Sequence, residues 1–318
     1  MKKPDLDWTT VLLLIGLPVL LVSGLLMPEW IRFFLQISLA TGLAALGVMI
    51  QMRAGLVPFG QGLYYCLGGY AAGMSGTFLG ITDAFALLAL GLGLSTVIAA
   101  ILGLLMARYR EIYYAMLSLA LSMILYGLLV KAEVLGSTDG FNLPKATFLG
   151  YAPEGKALRY ATFALTCSVT TLLAVLLHRF LVSPLGYVGE AIRENELRVE
   201  YLGTSPSRLI YFTYLVAAAV SGAGGVLAAI AVGHVDPDMA YWTTSGHFVF
   251  VALLSGNGNV IAPLAGSFIL ELVRVYAVEF SPNTWQMILG GVMLLVIIFL
   301  PNGLWSLVGM SRARRRST

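Results

Sequence analysis

Ten apolar stretches, most of them long enough for one membrane crossing, constrain this chain before any motif does. They lie near 9–27, 33–51, 57–79, 84–107, 112–130, 160–178, 209–233, 245–256, 260–278 and 284–300. A bilayer core takes about 20 apolar residues per helix, and lipid offers backbone groups no partner, so such segments cross as helices. The expected fold is an all-α polytopic membrane protein of about 10 transmembrane helices, 8–10 depending on where segments break, forming one transmembrane domain over 1–318. The eighth stretch is too short to cross as a helix. It reads as half of a broken or re-entrant element that turns at Gly256-Asn257-Gly258-Asn259.

Composition closes the other classes. Hydrophobic residues make up 58% and charged residues 11%, where a soluble domain carries about 25% charged residues. Disorder needs the opposite balance. The net charge of +3 comes from scattered residues with no basic face for nucleic acid. Cys66 and Cys167 sit inside apolar runs without ligand spacing and read as free buried thiols. Met1-Lys2-Lys3 ahead of the apolar run 11–27 looks like a signal peptide. The run is long for one and no Ala-x-Ala site follows, so it reads as an uncleaved first span.

Charge placement orients the spans. With the N-terminus cytoplasmic, inside segments hold Lys2, Lys3, Arg53, Arg108, Arg110, Arg179, Arg193, Arg198, Arg208, Arg312, Arg314, Arg315 and Arg316, which is 13 of the 19 basic residues. That is the excess the positive-inside rule expects, and ten crossings then return the C-terminus to the cytoplasm. All five tryptophans, Trp8, Trp30, Trp242, Trp285 and Trp305, fall at predicted span ends, as an interfacial aromatic belt requires. The one long external loop, 131–159, has five spans on either side. An odd count per half inverts one half relative to the other, as in transporters built from inverted repeats.

The longest cytoplasmic connection, 183–208, is patterned as an amphipathic helix. Leu185, Val188, Ile192, Val199 and Leu202 recur at helical spacing, and Glu190, Arg193, Glu194, Glu196, Arg198 and Glu200 fill the remaining face. Gly203 reads as its C-cap, and Ser205-Pro206 as the start of the next span. Three placements compete. Acids outnumber bases, which disfavours lying on a membrane; the stripe packs on the chain's own inner surface; or it docks into a groove on a partner. The last is favoured.

Several stretches resemble branched-chain amino acid ABC transporter permeases of the LivM type, over roughly 35–305. They are Gly60-Gln61-Gly62-Leu63-Tyr64-Tyr65-Cys66-Leu67-Gly68-Gly69-Tyr70, with Pro58 and Phe59 where Ser and Leu are usual; Tyr113-Tyr114-Ala115-Met116-Leu117-Ser118-Leu119-Ala120; Thr138-Asp139-Gly140 with Asn142 and Pro144; Ser183-Pro184-Leu185-Gly186 with Ala191-Ile192-Arg193-Glu194-Asn195-Glu196 and Leu202-Gly203; Trp242-Thr243-Thr244-Ser245-Gly246; and Phe299-Leu300-Pro301-Asn302-Gly303-Leu304. The resemblance implies a permease subunit of an importer for branched-chain or related amino acids, in a bacterial-type inner membrane. It implies a second, related permease, two cytoplasmic ATPases that hold the ATP and Mg, and an extracytoplasmic substrate-binding protein. This chain would hold no cofactor. Residues Glu190, Ala191, Ile192, Arg193, Glu194, Asn195, Glu196 and Gly203 would form the ATPase-coupling segment. The chain carries no Gly-x-x-x-x-Gly-Lys-Ser/Thr phosphate loop of its own.

Polar and small residues within spans are the candidates for a pathway. Glu271 and Arg274, three apart, share a helix face as an ion pair expected near the outer end. Gly60, Gln61, Gly68, Gly256, Asn257, Gly258 and Asn259 are candidate wall residues, with close helix packing or an ordinary tight turn as the competing readings. His178, His234 and His247 are far apart and show no metal-ligand spacing. No catalytic constellation appears. Two other transport readings stay open: a permease of the same kind for urea, short amides or aromatic acids, and an ion-coupled secondary transporter using Glu271.

Overall fold

A computed structural model describes residues 7–282, 284–300 and 303–306. The helices are α1 Trp8–Leu26, α2 Glu29–Arg53, α3 Gln61–Phe78, α4 Ala84–Met106, α5 Glu111–Lys131, α6 Gly155–Leu181, α7 Pro184–Glu194, α8 Glu196–Tyr201, α9 Pro206–Val232, α10 Trp242–Ser255, α11 Ile261–Phe280 and α12 Trp285–Phe299. One two-residue antiparallel pair, β1 Phe141–Asn142 with β2 His234–Val235, joins two connections. Seven helices, α1, α2, α4, α5, α6, α9 and α11, are long and apolar enough to cross a membrane unaided. The predicted spans at 57–79, 245–256 and 284–300 correspond to α3, α10 and α12, which are shorter or richer in glycine. Lys2, Lys3, Pro301, Asn302 and the arginines at 312–316 lie outside the described residues.

The packing repeats in the two halves. Align α1 with α6, α2 with α9, α3 with α10, α4 with α11 and α5 with α12, leaving α7 and α8 as an insertion. Then α2 against α11 matches α9 against α4, α2 against α10 matches α9 against α3, and α3 against α4 matches α10 against α11. The aligned partners α2 and α9 make the most extensive contact of all. Small residues allow it. A Cβ on Gly47 of α2 would collide with the Ala217 carbonyl of α9, and one on Gly224 of α9 with the Ala40 carbonyl of α2. Without a hydrophobic drive between helices in lipid, such close backbone approach supplies the attraction.

Each half contains one interrupted helix. In the first, α2 ends at Arg53 and 54–60 runs without helical structure to α3. The sequence placed a span from 57, but Pro58 has no N–H to donate. The Phe59 N–H instead donates to Ser118 Oγ at 3.0 Å. The Gln61 side chain donates to the Ala217 carbonyl and to Ser221 Oγ, at 2.9 and 2.6 Å, near the middle of α9, so α3 starts at about mid-depth. In the second half, 233–241 turns back inward from α9. Ser122, near the middle of α5, donates to the Ala240 carbonyl at 2.7 Å, and Ser245 Oγ accepts from Gly62 N–H at 3.0 Å. Two half-helix N-termini therefore meet near the membrane centre. Irregular backbone is tolerated at this depth because protein hydroxyls occupy its polar groups.

The short helix α10 turns at Gly256–Asn259 as expected, and a second irregular stretch, 233–241, precedes it. Trp242 stands at the start of α10. One expectation needs correction. The segment 183–208 is two helices, because Asn195 ends α7 in an extended conformation and caps α8, its side chain accepting from Arg198 N–H at 2.9 Å.

Candidate functional site

The helices α7 and α8 cover one end of the bundle, where α2 and α6 end and α9 begins. Their inward face is apolar. Ile192 and Val199 are each 5% exposed, and they cluster with Leu56, Met106, Leu209 and Ile210. Two ion pairs clamp the cap to other helices. Glu190 meets Arg53 of α2 at 2.8 Å. Glu196 meets Arg110 through two nitrogens, Nε at 2.9 Å and Nη2 at 2.8 Å, while Arg110 also holds the Ala107 carbonyl at 2.7 Å. Gly55, with φ +80, lets the chain turn against Arg193. Gly203 takes φ +84 in the turn between α8 and α9.

The apolar stripe seen in sequence therefore splits. Val188, Ile192 and Val199 face the chain's own core. Leu185 and Leu202 face outward, and so do Tyr187, Leu197 and Tyr201. With Ala191, Glu194 and Asn195 these form the free surface. Of the predicted coupling residues, Ile192 anchors the cap and Ala191, Glu194 and Asn195 are displayed. The exposed Tyr187, Leu197 and Tyr201 were not singled out from sequence. Periodicity marks an apolar face and cannot say which of two apolar faces turns inward.

Beneath the cap, Gln51 near the end of α2 and Tyr114 near the start of α5 join Gln61 and Ser221 in one buried network. Gln51 donates to Gln61 Oε1 at 3.0 Å, Tyr114 OH donates to Gln51 Oε1, and Tyr64 OH donates to Tyr214 OH at 2.6 Å. Gln61 is 1% exposed. Gly60 lies directly against the Ser118 carbonyl and Gly68 against Gly222. All three bind α3 to α2, α5 and α9, and they line no open space. The turn 256–259 lies at the end of the bundle beside the start of α1. Asn259 donates to Thr9 Oγ1 at 2.9 Å and accepts from Ile261 N–H at 3.1 Å, and Gly256 and Gly258 pack on Gly303 and Trp305.

Glu271 and Arg274 do meet, at 3.5 Å. Glu271 sits ten residues into the 20-residue α11, about 15 Å along it at 1.5 Å per residue, which is mid-depth rather than the outer end. A third group joins them: His247 Nε2 of α10 lies 3.8 Å from Glu271 Oε2. Arg274 also stacks over Trp285, 5.5 Å from the ring centre. His247 is 24 residues from Glu271 on a different helix, so no spacing rule could pair them.

Comparison with known proteins agrees with this architecture. The family described as "Branched-chain amino acid transport system / permease component" matches residues 31–298. The chain is 28% identical to the high-affinity branched-chain amino acid transport system permease protein LivM of Salmonella typhimurium, over 95% of this chain and 77% of that one. LivM of Escherichia coli matches to the same extent. The high-affinity branched-chain amino acid transport system permease protein LivH of Escherichia coli is 23% identical over 87% of this chain and 97% of its own length. No solved structure matches. A family match over most of the chain, on an interrupted-helix bundle with a helical cap, places this protein in the branched-chain amino acid transport system permease family.

Proposed function

We propose that the chain is one of two permease subunits of an ABC importer for branched-chain amino acids, in a bacterial-type inner membrane with both termini cytoplasmic. Its partners are a LivH-like permease, two ATPases on the cytoplasmic side and an extracytoplasmic binding protein. The ATPases hold ATP and Mg and supply the energy. This chain holds no cofactor and performs no hydrolysis.

One observation carries the mechanism. The α7–α8 cap grips α2 and α5 through Arg53–Glu190 and Arg110–Glu196, and it displays Tyr187, Leu197, Tyr201 and Leu202. An apolar surface on a cap already seated on its own bundle is a surface for another protein. ATPase closure pulling on that face moves α2 and α5, and with them the buried network at the start of α3. Segment 183–208 is thus the coupling element. Segment 131–159, with Gly140 set against the Val235 carbonyl of β2, forms the external side.

The test is reconstitution of the purified complex in proteoliposomes. Tyr201→Asp and Leu197→Asp are expected to leave the permease pair intact, to lower ATPase recovery in the complex more than tenfold, and to stop ATP-driven leucine uptake. Uptake of urea or an aromatic acid in place of leucine, isoleucine and valine would reassign the substrate. Uptake by the permease alone, without ATP, would refute the coupling.

A further inference from the structure

The Glu271 cluster lies between two packed helices, α10 and α11, and holds more unpaired polarity than packing requires. Glu271 is 8% exposed, yet its Oε2 has no hydrogen-bond partner, and His247 Nε2, which faces it, has none either. Arg274 meets Glu271 at 3.5 Å and stacks over Trp285, 5.5 Å from the ring centre, yet its side chain remains 46% exposed. It lies 13 residues into α11, about 20 Å along the helix and thus still within a hydrocarbon core of about 30 Å. A guanidinium facing lipid within that core is costly. That surface therefore faces water or protein.

The reason it is open is the half-helix. α10 begins only at Trp242, so beyond its first turn no part of α10 covers the face of α11 that carries Arg274. Trp242 and Thr243 at the α10 N-terminus are exposed. The first amides of a helix lack intrahelical acceptors and carry the positive end of its dipole.

On the reading of the chain as an amino acid permease, we infer that this cluster is a transient contact site for the zwitterionic head of the passing α-amino acid. The carboxylate is taken by Arg274 and the α10 N-terminus. The ammonium is taken by Glu271 Oε2, with His247 Nε2 lying beside it. A zwitterion supplies both charges at once, which a half-paired Glu–Arg couple is built to exchange with. It also leaves the aliphatic side chain free of any discriminating pocket.

The experiment uses the full importer, with binding protein, in proteoliposomes. Glu271→Gln and Arg274→Gln are each expected to lower leucine uptake at least tenfold while ATP hydrolysis stimulated by loaded binding protein stays within twofold. To separate contact from mere structure, Thr243→Cys is treated with a water-soluble methanethiosulfonate; the native Cys66 and Cys167 are buried. Labelling is expected, and leucine turnover is expected to slow it at least fivefold. Labelling only by a lipid-soluble maleimide, labelling unaffected by leucine, or uptake within twofold of wild type in both Gln variants would each overturn the inference. A wild-type complex that moves none of leucine, isoleucine and valine would instead refute the function it rests on.

Discussion

Replacing Ile192 by alanine tests whether the α7–α8 cap is held by its apolar anchor or by its ion pairs. Ile192 is 5% exposed among Leu56, Met106, Leu209 and Ile210. Truncating a buried isoleucine to alanine costs about 2–5 kcal/mol, because the lost contacts leave a cavity that neighbours fill only partly. The ion pairs are weaker supports. Glu190 and Glu196 have side chains 47% and 36% exposed, and exposed pairs contribute about 0–1 kcal/mol each. A loss of about 3 kcal/mol corresponds to roughly a 100-fold rise in the population of the undocked cap, at 1.4 kcal/mol per tenfold. Hydrogen exchange at amides 186–199 should therefore accelerate about 100-fold in Ile192→Ala and less than tenfold in Glu190→Gln. Exchange in α9 should be unchanged, and the ATP hydrolysed per leucine imported should rise as the cap slips. If Ile192→Ala left exchange in α7 at the wild-type rate, or if Glu190→Gln loosened it more, the apolar anchor would not be what holds the cap.

Two further outcomes probe the interior. Ser118→Ala removes the acceptor of the Phe59 N–H, and an unsatisfied buried donor costs about 1–3 kcal/mol; detergent-solubilised protein should melt lower, while Thr96→Ala, whose hydroxyl only returns to its own helix, should melt unchanged. Gly68→Leu drives a side chain into the Gly222 carbonyl and should abolish recovery of folded protein, whereas Gly93→Leu, with open space around its Cβ position, should be recovered normally by size-exclusion chromatography.

How much of this was legible depended on whether the signal was local. Span limits follow from apolar runs, and the Ser205-Pro206 start of α9 and the Glu271–Arg274 pair follow from spacing within one helix. The interrupted helices were half legible. Pro58 and the short stretch at 245–256 marked that something breaks, but the hydroxyls that make the breaks possible, Ser118, Ser122 and Ser245, look like any serine in a span. Their partners lie 59, 118 and 183 residues away. Asn195 was read as part of a continuous helix because apolar periodicity carries through it, while its capping side chain outweighs periodicity locally. The His247–Glu271 approach depends on how α10 sits on α11, which tertiary packing alone decides.

The two half-helices also bear on how the chain enters the membrane during synthesis. α10 has 14 residues and α3 has 18 with five glycines, so neither is hydrophobic enough to partition alone. When α10 leaves the ribosome, its polar partners Gly62 and Ser122 are already in the bilayer and receive it. α3 finds only Gln51 of α2 waiting for its Gln61, since Ser118, Ala217 and Ser221 are made after it. Its irregular lead-in has to wait at the surface, or be shielded by an insertase, until α5 and α9 arrive. The first half is thus the vulnerable one during biogenesis, although the finished halves pack alike.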